Sequence, residues 1–250
     1  MSLPVVLIHA FPLGPAVFDD LVERLPGTTL IRPALRGFGG PALDETGGEP
    51  SLDTYADDVA AELAGRGVER AVVGGLSLGG YVTMALLRRH PELVAGLVLV
   101  DTKASEDAGE ARANRLRMAD AAERDGSRVL RPMLGTLLGE TTRRDRPDVV
   151  ARLTGWLDAA PPDGVAWAQR AMTARPPSFG TLRDAAARGL DVATVVVGAE
   201  DTVTGPDEAA AMAAALGGVP VHVVEGAGHL SPLEDPDAVA AILRETALSP

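Results

Sequence analysis

Apolar residues gather in six short runs that are nearly continuous, without regular alternation of polar and apolar positions. A strand with apolar side chains on both faces must be covered on both faces, which is typical of the parallel sheet of an α/β protein. The pattern therefore predicts about six buried parallel strands. The runs cover residues 5–9, 28–32, 71–74, 97–100, 194–197 and 221–224.

The segments between these runs have the helical spacing of apolar residues. In the clearest of them, apolar side chains recur at intervals of three and four residues from Leu52 onward, and Ser51 is a candidate N-cap. Further helices are expected over residues 81–87, 209–216 and 237–246. Strands that alternate with helices predict an α/β fold with a doubly wound, mainly parallel sheet and right-handed crossovers.

The connection between the fourth and fifth runs is far longer than a loop in a compact domain. Its sequence has helical spacing and no convincing strand, so we predict that residues 103–187 form a helical cap. This cap is inserted into an α/β core of residues 1–102 and 188–250. Large apolar side chains of the cap either line a substrate pocket or pack the cap onto the core, and the sequence leaves both roles open. They are Met133, Leu134, Trp156, Leu157 and Trp167.

The charge balance narrows the range of partners. The chain has 35 acidic and 23 basic residues and a formal net charge of −12, so binding to nucleic acid or to an anionic membrane is not expected. It has no cysteine, and its four histidines lack the spacing of metal ligands. The N-terminal residues do not resemble a secretory leader, and no apolar run approaches the length of a membrane span. We expect a soluble, cytoplasmic protein without a metal site.

Residues 75–79, Gly-Leu-Ser-Leu-Gly, directly follow the third apolar run and precede a helix. This order predicts a tight strand-to-helix turn that strains the backbone of Ser77 and points its hydroxyl out of the sheet. Glycine at positions 75 and 79 removes the Cβ atoms that would clash in such a turn. Unpaired N–H groups at the start of the helix favour negative charge, which an oxyanion requires. On its own, the pattern also fits an ordinary turn.

A serine nucleophile needs a base within hydrogen-bond reach and an acid that orients the base. Asp201 follows the fifth apolar run, and His229 follows the sixth. Because parallel strands have their carboxyl ends along one edge of the sheet, both side chains are expected at the same edge as Ser77. The sequence therefore predicts that the three side chains meet there.

Five segments together resemble the α/β-hydrolase family, and the resemblance covers the whole core. Within this family, the segments resemble those of small esterases and 3-oxoadipate enol-lactonase-like hydrolases most. The segments are Gly-Leu-Ser-Leu-Gly-Gly from residue 75, Gly-Ala-Glu-Asp from 198, Gly-Ala-Gly-His-Leu from 226, His-Ala-Phe-Pro from 9 and Leu-Arg-Gly-Phe-Gly from 35.

The resemblance implies a role for each site residue. Ser77 is the expected nucleophile, and His229 is the expected general base and later general acid. Asp201 is the expected carboxylate that orients the imidazole. The backbone N–H groups of Phe11 and Leu78 are the expected oxyanion hole.

Several neighbouring residues need separate interpretation. Some relatives place the acid after the fourth strand, so Asp101 is the alternative to Asp201. We expect His9 to stabilise its loop by hydrogen bonding and Glu200 to be a solvated neighbour. Ala10 stands where the family usually has glycine, so we expect the N–H group of Phe11 to point in a slightly different direction.

The resemblance also implies a strand order. Relatives usually begin with an antiparallel hairpin, and we expect the sheet to lack it because the first predicted strand starts near residue 5. The family's order then gives a six-stranded sheet ordered 2-1-3-4-5-6, with residues 28–32 at one edge. An uncovered edge strand invites pairing, so the expected state is a monomer or a homodimer.

The implied reaction is hydrolysis of a carboxylic ester or lactone of a small molecule through an acyl-enzyme, with no cofactor. A cofactor-free haloperoxidase or perhydrolase, a C–C bond hydrolase and a thioesterase share the fold and the same three residues, so they remain alternatives. A small-molecule binder without turnover is a further alternative. The intact set of serine, histidine and aspartate argues against it.

Overall fold

Six parallel strands form one sheet in the computed structural model, which describes residues 3–44 and 49–248. The strand order is β2-β1-β3-β4-β5-β6, and every neighbouring pair is parallel, which confirms the predicted order. Met1 and Ser2, at the predicted start of the core, lie outside the described residues. The strands are β1 (Val5–Ile8), β2 (Leu30–Ile31), β3 (Ala71–Leu76), β4 (Val94–Val100), β5 (Val192–Gly198) and β6 (Val221–Val224).

Among the described strands only β6 has the bounds of the apolar run that predicts it; β2, for example, is shorter than its run and β4 is longer. β2 contains only Leu30 and Ile31, because β1 pairs with it at just two positions. β4 begins at Val94 instead of residue 97, since Val94 and Gly96 already pair with β3. Ala95 and Gly96 make the sequence less apolar at this point, although the backbone of β4 continues to pair with β3.

Helices cover the sheet, and the side chains of β1, β3 and β4 are buried along their whole length. Short 3-10 helices cover Pro15–Phe18, Pro91–Leu93 and Gly126–Met133. In the described part of the chain the α-helices are α1 (Asp19–Glu23), α2 (Leu52–Gly65), α3 (Leu78–Arg89), α4 (Gly109–Asp125), α5 (Leu134–Leu137), α6 (Glu140–Asp145), α7 (Pro147–Ala159), α8 (Pro162–Thr173), α9 (Phe179–Arg188), α10 (Pro206–Ala215), α11 (Ser231–Glu234) and α12 (Pro236–Thr246).

Helix α2 begins and packs as its sequence predicts. The hydroxyl of Ser51 accepts a hydrogen bond from the N–H of Thr54 at 3.0 Å, which confirms the predicted N-cap. One face of the helix is buried, and α2 packs against α3. The buried side chains are Leu52, Tyr55, Ala56, Val59, Ala60 and Leu63.

Residues 103–187, here called the insertion, are all described and contain helices but no strand. Helices α4 and α8 pack together within it, whereas α9 packs back onto the core helices α3 and α10. Because α9 runs to Arg188 and contacts the core, the boundary of a separate cap at residue 187 stays a prediction.

The insertion contacts the core through Trp167 of α8. Its side chain is 7% exposed, and its ring packs edge-on against the ring of Tyr55, with centroids 4.6 Å apart. The Arg36 guanidinium lies 5.8 Å from the centroid of the Trp167 ring, and the Arg36 side chain is held by an ion pair with Asp58 at 2.7 Å. Of the two roles left open by the sequence, these contacts favour packing for Trp167.

The edge strand β2 is very short, so it offers few backbone groups to a second copy of the chain. The choice between monomer and homodimer stays a prediction. Over residues 3–44 and 49–248, no helix combines the length and the apolar character needed to cross a membrane.

Candidate active site

Ser77 occupies a sharp turn between β3 and α3. β3 ends at Leu76 and α3 begins at Leu78, so Ser77 alone connects them. Its backbone has φ 54° and ψ −111°, a conformation that costs a non-glycine residue about 1–3 kcal/mol. Such strain persists only where the surrounding structure fixes the turn.

Two glycines allow the strand and the helix to approach each other. A Cβ on Gly75 would lie under 3.0 Å from the backbone of Gly79, and a Cβ on Gly79 would lie under 3.0 Å from the carbonyl oxygen of Ile8. The Thr102 hydroxyl donates to the carbonyl oxygen of Ser77 at 2.8 Å and so holds the turn against the end of β4. The Gly-Leu-Ser-Leu-Gly pattern therefore forms the turn that it predicts.

His229 lies on the loop after β6, and its side chain is almost completely buried. Its Nε2 lies 2.7 Å from Oγ of Ser77. Gly226, with φ 69°, starts the loop in a left-handed conformation. The structure thus brings together two residues that are 152 positions apart.

Asp201 lies on the loop after β5 and contacts the other ring nitrogen of His229. Its Oδ2 is 3.0 Å from Nδ1 and accepts from the Thr204 hydroxyl at 2.8 Å. Its Oδ1 accepts from the N–H groups of Val203 and Thr204 at 2.7 and 3.0 Å. Burial alone would raise the pKa of Asp201, but the hydrogen bonds from His229 and Thr204 lower it below its ordinary value.

This contact fixes the tautomer of the imidazole. An ionised Asp201 can only accept a hydrogen bond, so Nδ1 of His229 carries the proton. Nε2 is then free to accept the proton of the Ser77 hydroxyl. The arrangement is a hydrogen-bonded chain in which serine donates to histidine and histidine donates to aspartate.

Asp101, the alternative acid, is buried at the end of β4 and makes different contacts. Its Oδ1 accepts from the N–H of Gly198 at 2.9 Å, and its Oδ2 accepts from the N–H of Ser231 at 2.8 Å. Burial and the neighbouring charge of Asp201 raise the pKa of Asp101 to about 7. Asp101 therefore braces the loops that carry Asp201 and His229, while Asp201 contacts the imidazole.

The N–H groups of Phe11 and Leu78 are available at this edge of the sheet. Leu78 is the first residue of α3, where backbone N–H groups have no partner within the helix. Neither N–H group donates to another described residue. β1 and β3 are neighbouring parallel strands, so Phe11 and Leu78 both follow strands that end at the same edge of the sheet. Their role as an oxyanion hole stays a prediction.

His9 holds the loop that contains Phe11. Its Nε2 accepts from the N–H of Leu35 at 3.0 Å, and its Nδ1 donates to the carbonyl oxygen of Ala10 at 3.0 Å. Burial lowers the pKa of His9 to about 4, although the bond to Ala10 opposes this shift. A neutral His9 therefore links the Phe11 loop to the turn at Leu35, as the sequence predicts.

An apolar groove of about 290 Å³ begins beside the Phe11 loop and runs under the end of α7. Pro12, Leu13, Phe38 and Trp156 are among the residues that line it. The ring of Phe38 lies 6.3 Å from the ring of Phe11. The predicted contact of Trp156 with a substrate stays a prediction.

The other predicted pocket residues lie elsewhere in the insertion. Leu134 and Leu157 line a separate cavity of about 400 Å³ beside Arg131 and Asp158. Met133 is partly buried and packs against the hydrophobic core. Their predicted contact with a substrate stays a prediction.

Two carboxylates near His229 have roles that the sequence did not predict. Glu200 is partly exposed, which agrees with the expected solvated neighbour, and its carboxylate also accepts from the N–H and the hydroxyl of Thr141 at 2.9 and 2.6 Å. These bonds lower the pKa of Glu200. Glu234 is buried and accepts three backbone hydrogen bonds, one of them from Gly139. Both contacts join the insertion to the core.

A model of the alpha/beta hydrolase family matches residues 5–242. The chain belongs to this family. A pimeloyl-[acyl-carrier protein] methyl ester esterase from Aromatoleum aromaticum is 44% identical over 99 residues, which are 39% of this chain and 36% of that protein. An esterase of the same name from Neisseria meningitidis serogroup A is 29% identical over 252 residues, 96% of this chain and 75% of that protein.

Solved structures of other hydrolases resemble the whole chain. A thermophilic esterase from Thermogutta terrifontis has a TM-score of 0.91 and 36% identity, and the match covers 98% of this hydrolase and 89% of that chain. An enol-lactonase from Burkholderia xenovorans has a TM-score of 0.84 and 21% identity, with 100% and 93% covered. The second likeness concerns the fold alone.

The remaining histidines of this hydrolase lie away from Ser77. His90 follows α3, and its Nε2 is 2.8 Å from Oδ1 of Asp57. His222 lies in β6. In the described part of the hydrolase, no group of three or more histidine, aspartate or glutamate side chains is arranged to hold a metal ion.

Proposed function

We propose that the protein is a serine esterase that hydrolyses a carboxylic ester of a small molecule through an acyl-enzyme at Ser77. The observation that carries this proposal is the hydrogen-bonded chain from Ser77 through His229 to Asp201, at distances of 2.7 and 3.0 Å. A base within reach of a hydroxyl, itself oriented by a carboxylate, is the arrangement that activates a serine nucleophile.

In the first half of the reaction, Oγ of Ser77 attacks the ester carbonyl carbon while Nε2 of His229 takes the hydroxyl proton. The carbonyl oxygen becomes an oxyanion, which the N–H groups of Phe11 and Leu78 stabilise. The tetrahedral intermediate then breaks its bond to the alcohol oxygen, and His229 donates the proton to this leaving group. The acyl group remains on Ser77.

In the second half, a water molecule attacks the acyl carbon while Nε2 of His229 takes one of its protons. The bond to Oγ breaks, the proton returns to Ser77, and the carboxylic acid leaves. Asp201 stays ionised throughout and stabilises the imidazolium that forms twice in the cycle. The steps require only water and groups of this chain.

Similarity favours an ester as substrate. The Thermogutta terrifontis structure, 36% identical over nearly the whole chain, is that of an esterase. The full-length relative from Neisseria meningitidis is named a methyl ester esterase. The enol-lactonase, at 21% identity, supports the fold and not a lactone substrate. Lactones and thioesters are therefore tested beside esters as alternative substrates.

The test measures hydrolysis of p-nitrophenyl esters of increasing chain length, beside lactones and thioesters. Ester turnover that disappears in Ser77→Ala, with an unchanged melting temperature, is the expected result. A fluorophosphonate probe should label the wild-type protein on Ser77, and Ser127→Ala, a change at a half-buried serine of the insertion whose hydroxyl donates to the carbonyl oxygen of Asp158, should leave labelling intact. Ester hydrolysis retained in Ser77→Ala would overturn the proposal.

A further inference from the structure

Glu234 binds backbone N–H groups on both sides of His229. Its Oε1 accepts from Gly228 at 2.9 Å and from Leu230 at 3.1 Å. Only His229 lies between these two residues, so the carboxylate fixes the peptide groups on either side of the imidazole. Glu234 itself is 5% exposed, and a buried carboxylate is stable only where hydrogen bonds replace its hydration.

The second oxygen of the same carboxylate reaches the insertion. Oε2 of Glu234 accepts from the N–H of Gly139 at 2.8 Å. Gly139 precedes α6, where unpaired N–H groups favour a negative partner. One side chain therefore connects the loop of His229 to the start of α6.

The two backbones joined by Glu234 are in direct contact. A Cβ on Gly228 would lie under 3.0 Å from the backbone of Gly139, and a Cβ on Gly139 would lie under 3.0 Å from the N–H of Gly228. The start of α6 and the loop that carries His229 therefore pack backbone against backbone at this point.

Glu200 provides an internal comparison. Its carboxylate binds Thr141 of α6, two residues after Gly139, but no N–H group of the His229 loop. Its contact with that loop is made by its own backbone N–H, which donates to the carbonyl oxygen of Ala227 at 2.8 Å and does not depend on the side chain. Substitution of Glu200 removes a bond to the insertion and leaves the His229 loop bonded.

We infer that Glu234 is a positioning residue for the reaction, which holds the imidazole of His229 in line with Ser77 by fixing the backbone on either side of it. The inference rests on the proposed serine mechanism for its kinetic consequence. Its structural part, the dependence of the His229 geometry on Glu234, is measurable without turnover.

Three variants separate the contact of Glu234 with the His229 loop from its contact with Gly139. Glu234→Ala removes the acceptor from both the His229 loop and Gly139. Glu234→Gln keeps one oxygen, which can still accept from Gly228 and Leu230, but turns an amide donor toward the N–H of Gly139. Glu200→Ala loosens α6 alone. The glutamine variant should therefore behave like Glu200→Ala and not like Glu234→Ala.

The first measurement is of kcat and KM with a p-nitrophenyl ester. Displacement of a reacting group by about 1 Å costs up to about 100-fold in rate, so Glu234→Ala should lower kcat roughly 10- to 100-fold with little change in KM. Glu234→Gln and Glu200→Ala should keep kcat within about three-fold. A folded Glu234→Ala with wild-type kcat overturns the inference, and so does a loss of kcat in Glu200→Ala equal to that in Glu234→Ala.

The second measurement is the downfield proton resonance of Nδ1 of His229, recorded on protein labelled with ¹⁵N-histidine and assigned by its absence in His229→Gln. The resonance should shift or broaden in Glu234→Ala and stay unchanged in Glu200→Ala. An unchanged resonance in Glu234→Ala overturns the inference. If the wild-type protein hydrolyses no ester and Ser77 is not labelled, the proposed function fails, while this resonance still decides the role of Glu234.

Discussion

Gly37 and Gly164 lie so close together that neither position has room for a side chain. A Cβ on Gly164 would lie under 3.0 Å from the carbonyl oxygen of Gly37, and a Cβ on Gly37 would meet the Cα of Gly164 at 2.7 Å. Gly37 belongs to the Leu-Arg-Gly-Phe-Gly turn of the core, and Gly164 lies in the first turn of α8. The docking of the insertion therefore depends on two facing glycines.

Gly164→Ala should weaken this docking. The added methyl group must push α8 away from the core or distort the turn at Gly37, and overpacking of this kind costs about 1–3 kcal/mol. Urea denaturation should show the loss in free energy of unfolding. Gly155→Ala is the control, because Gly155 lies in α7 with nothing within 4 Å of its added Cβ. Helix propensity predicts that this control gains up to about 1 kcal/mol.

The fold was largely predictable because its signals are local. β1, β3 and β4 bury both faces, so their apolar runs are visible without knowledge of their partners. The strand order followed from the resemblance of short motifs such as the one around Ser77. The length of β2 was not predictable, because it depends on how far β1 extends beside it.

The three side chains of the hydrogen-bonded chain were predictable because each follows a strand at the same edge of the sheet. Glu234 was not, because its contact with Gly139 joins residues 95 positions apart and depends on how the insertion folds back. The hydrogen bonds between Glu200 and Thr141 were not predictable for the same reason, since Thr141 lies in the insertion. Periodicity and motif spacing contain no information about such contacts.

Asp201→Asn should reduce kcat by about 10⁴-fold, the size of loss that follows when the orienting carboxylate of a serine-histidine pair becomes an amide. The amide group can donate to Nδ1 of His229, which favours the tautomer with the proton on Nε2. In this tautomer the imidazole cannot accept the proton of Ser77. Steady-state kinetics with a p-nitrophenyl ester measures the loss.

Asp101→Asn is the matched control, because it makes the same chemical change in a neighbouring buried carboxyl. Its amide must face the N–H of Gly198 or of Ser231, so it should lower stability by about 1–3 kcal/mol. It should retain far more kcat than Asp201→Asn, since its contacts are with the loop backbones. The reverse ranking of the two variants would assign the acid to Asp101.

His9 should make the folded protein less stable as the pH falls. Burial lowers the pKa of His9 to about 4, so between pH 6.5 and 4 the unfolded chain binds a proton that the folded chain does not. The lower pH therefore favours unfolding, by about 3 kcal/mol over this window. Urea denaturation of wild type and His9→Gln gives the difference in free energy of unfolding, which should shrink by this amount from pH 6.5 to 4. A difference that stays constant with pH would contradict the assignment.

Trp156→Ala should change substrate preference more than it changes stability, because Trp156 lines the groove beside the Phe11 loop. A long acyl chain that fills the groove loses its contact with the indole, whereas an acetyl group does not reach it. We expect KM to rise about ten-fold for p-nitrophenyl hexanoate, equivalent to about 1.4 kcal/mol of binding, and to change little for the acetate. Trp156→Phe retains an aromatic wall and should lie between the two proteins. Equal effects on both esters would mean that the chain binds elsewhere, with the separate cavity at Leu134 as the next candidate.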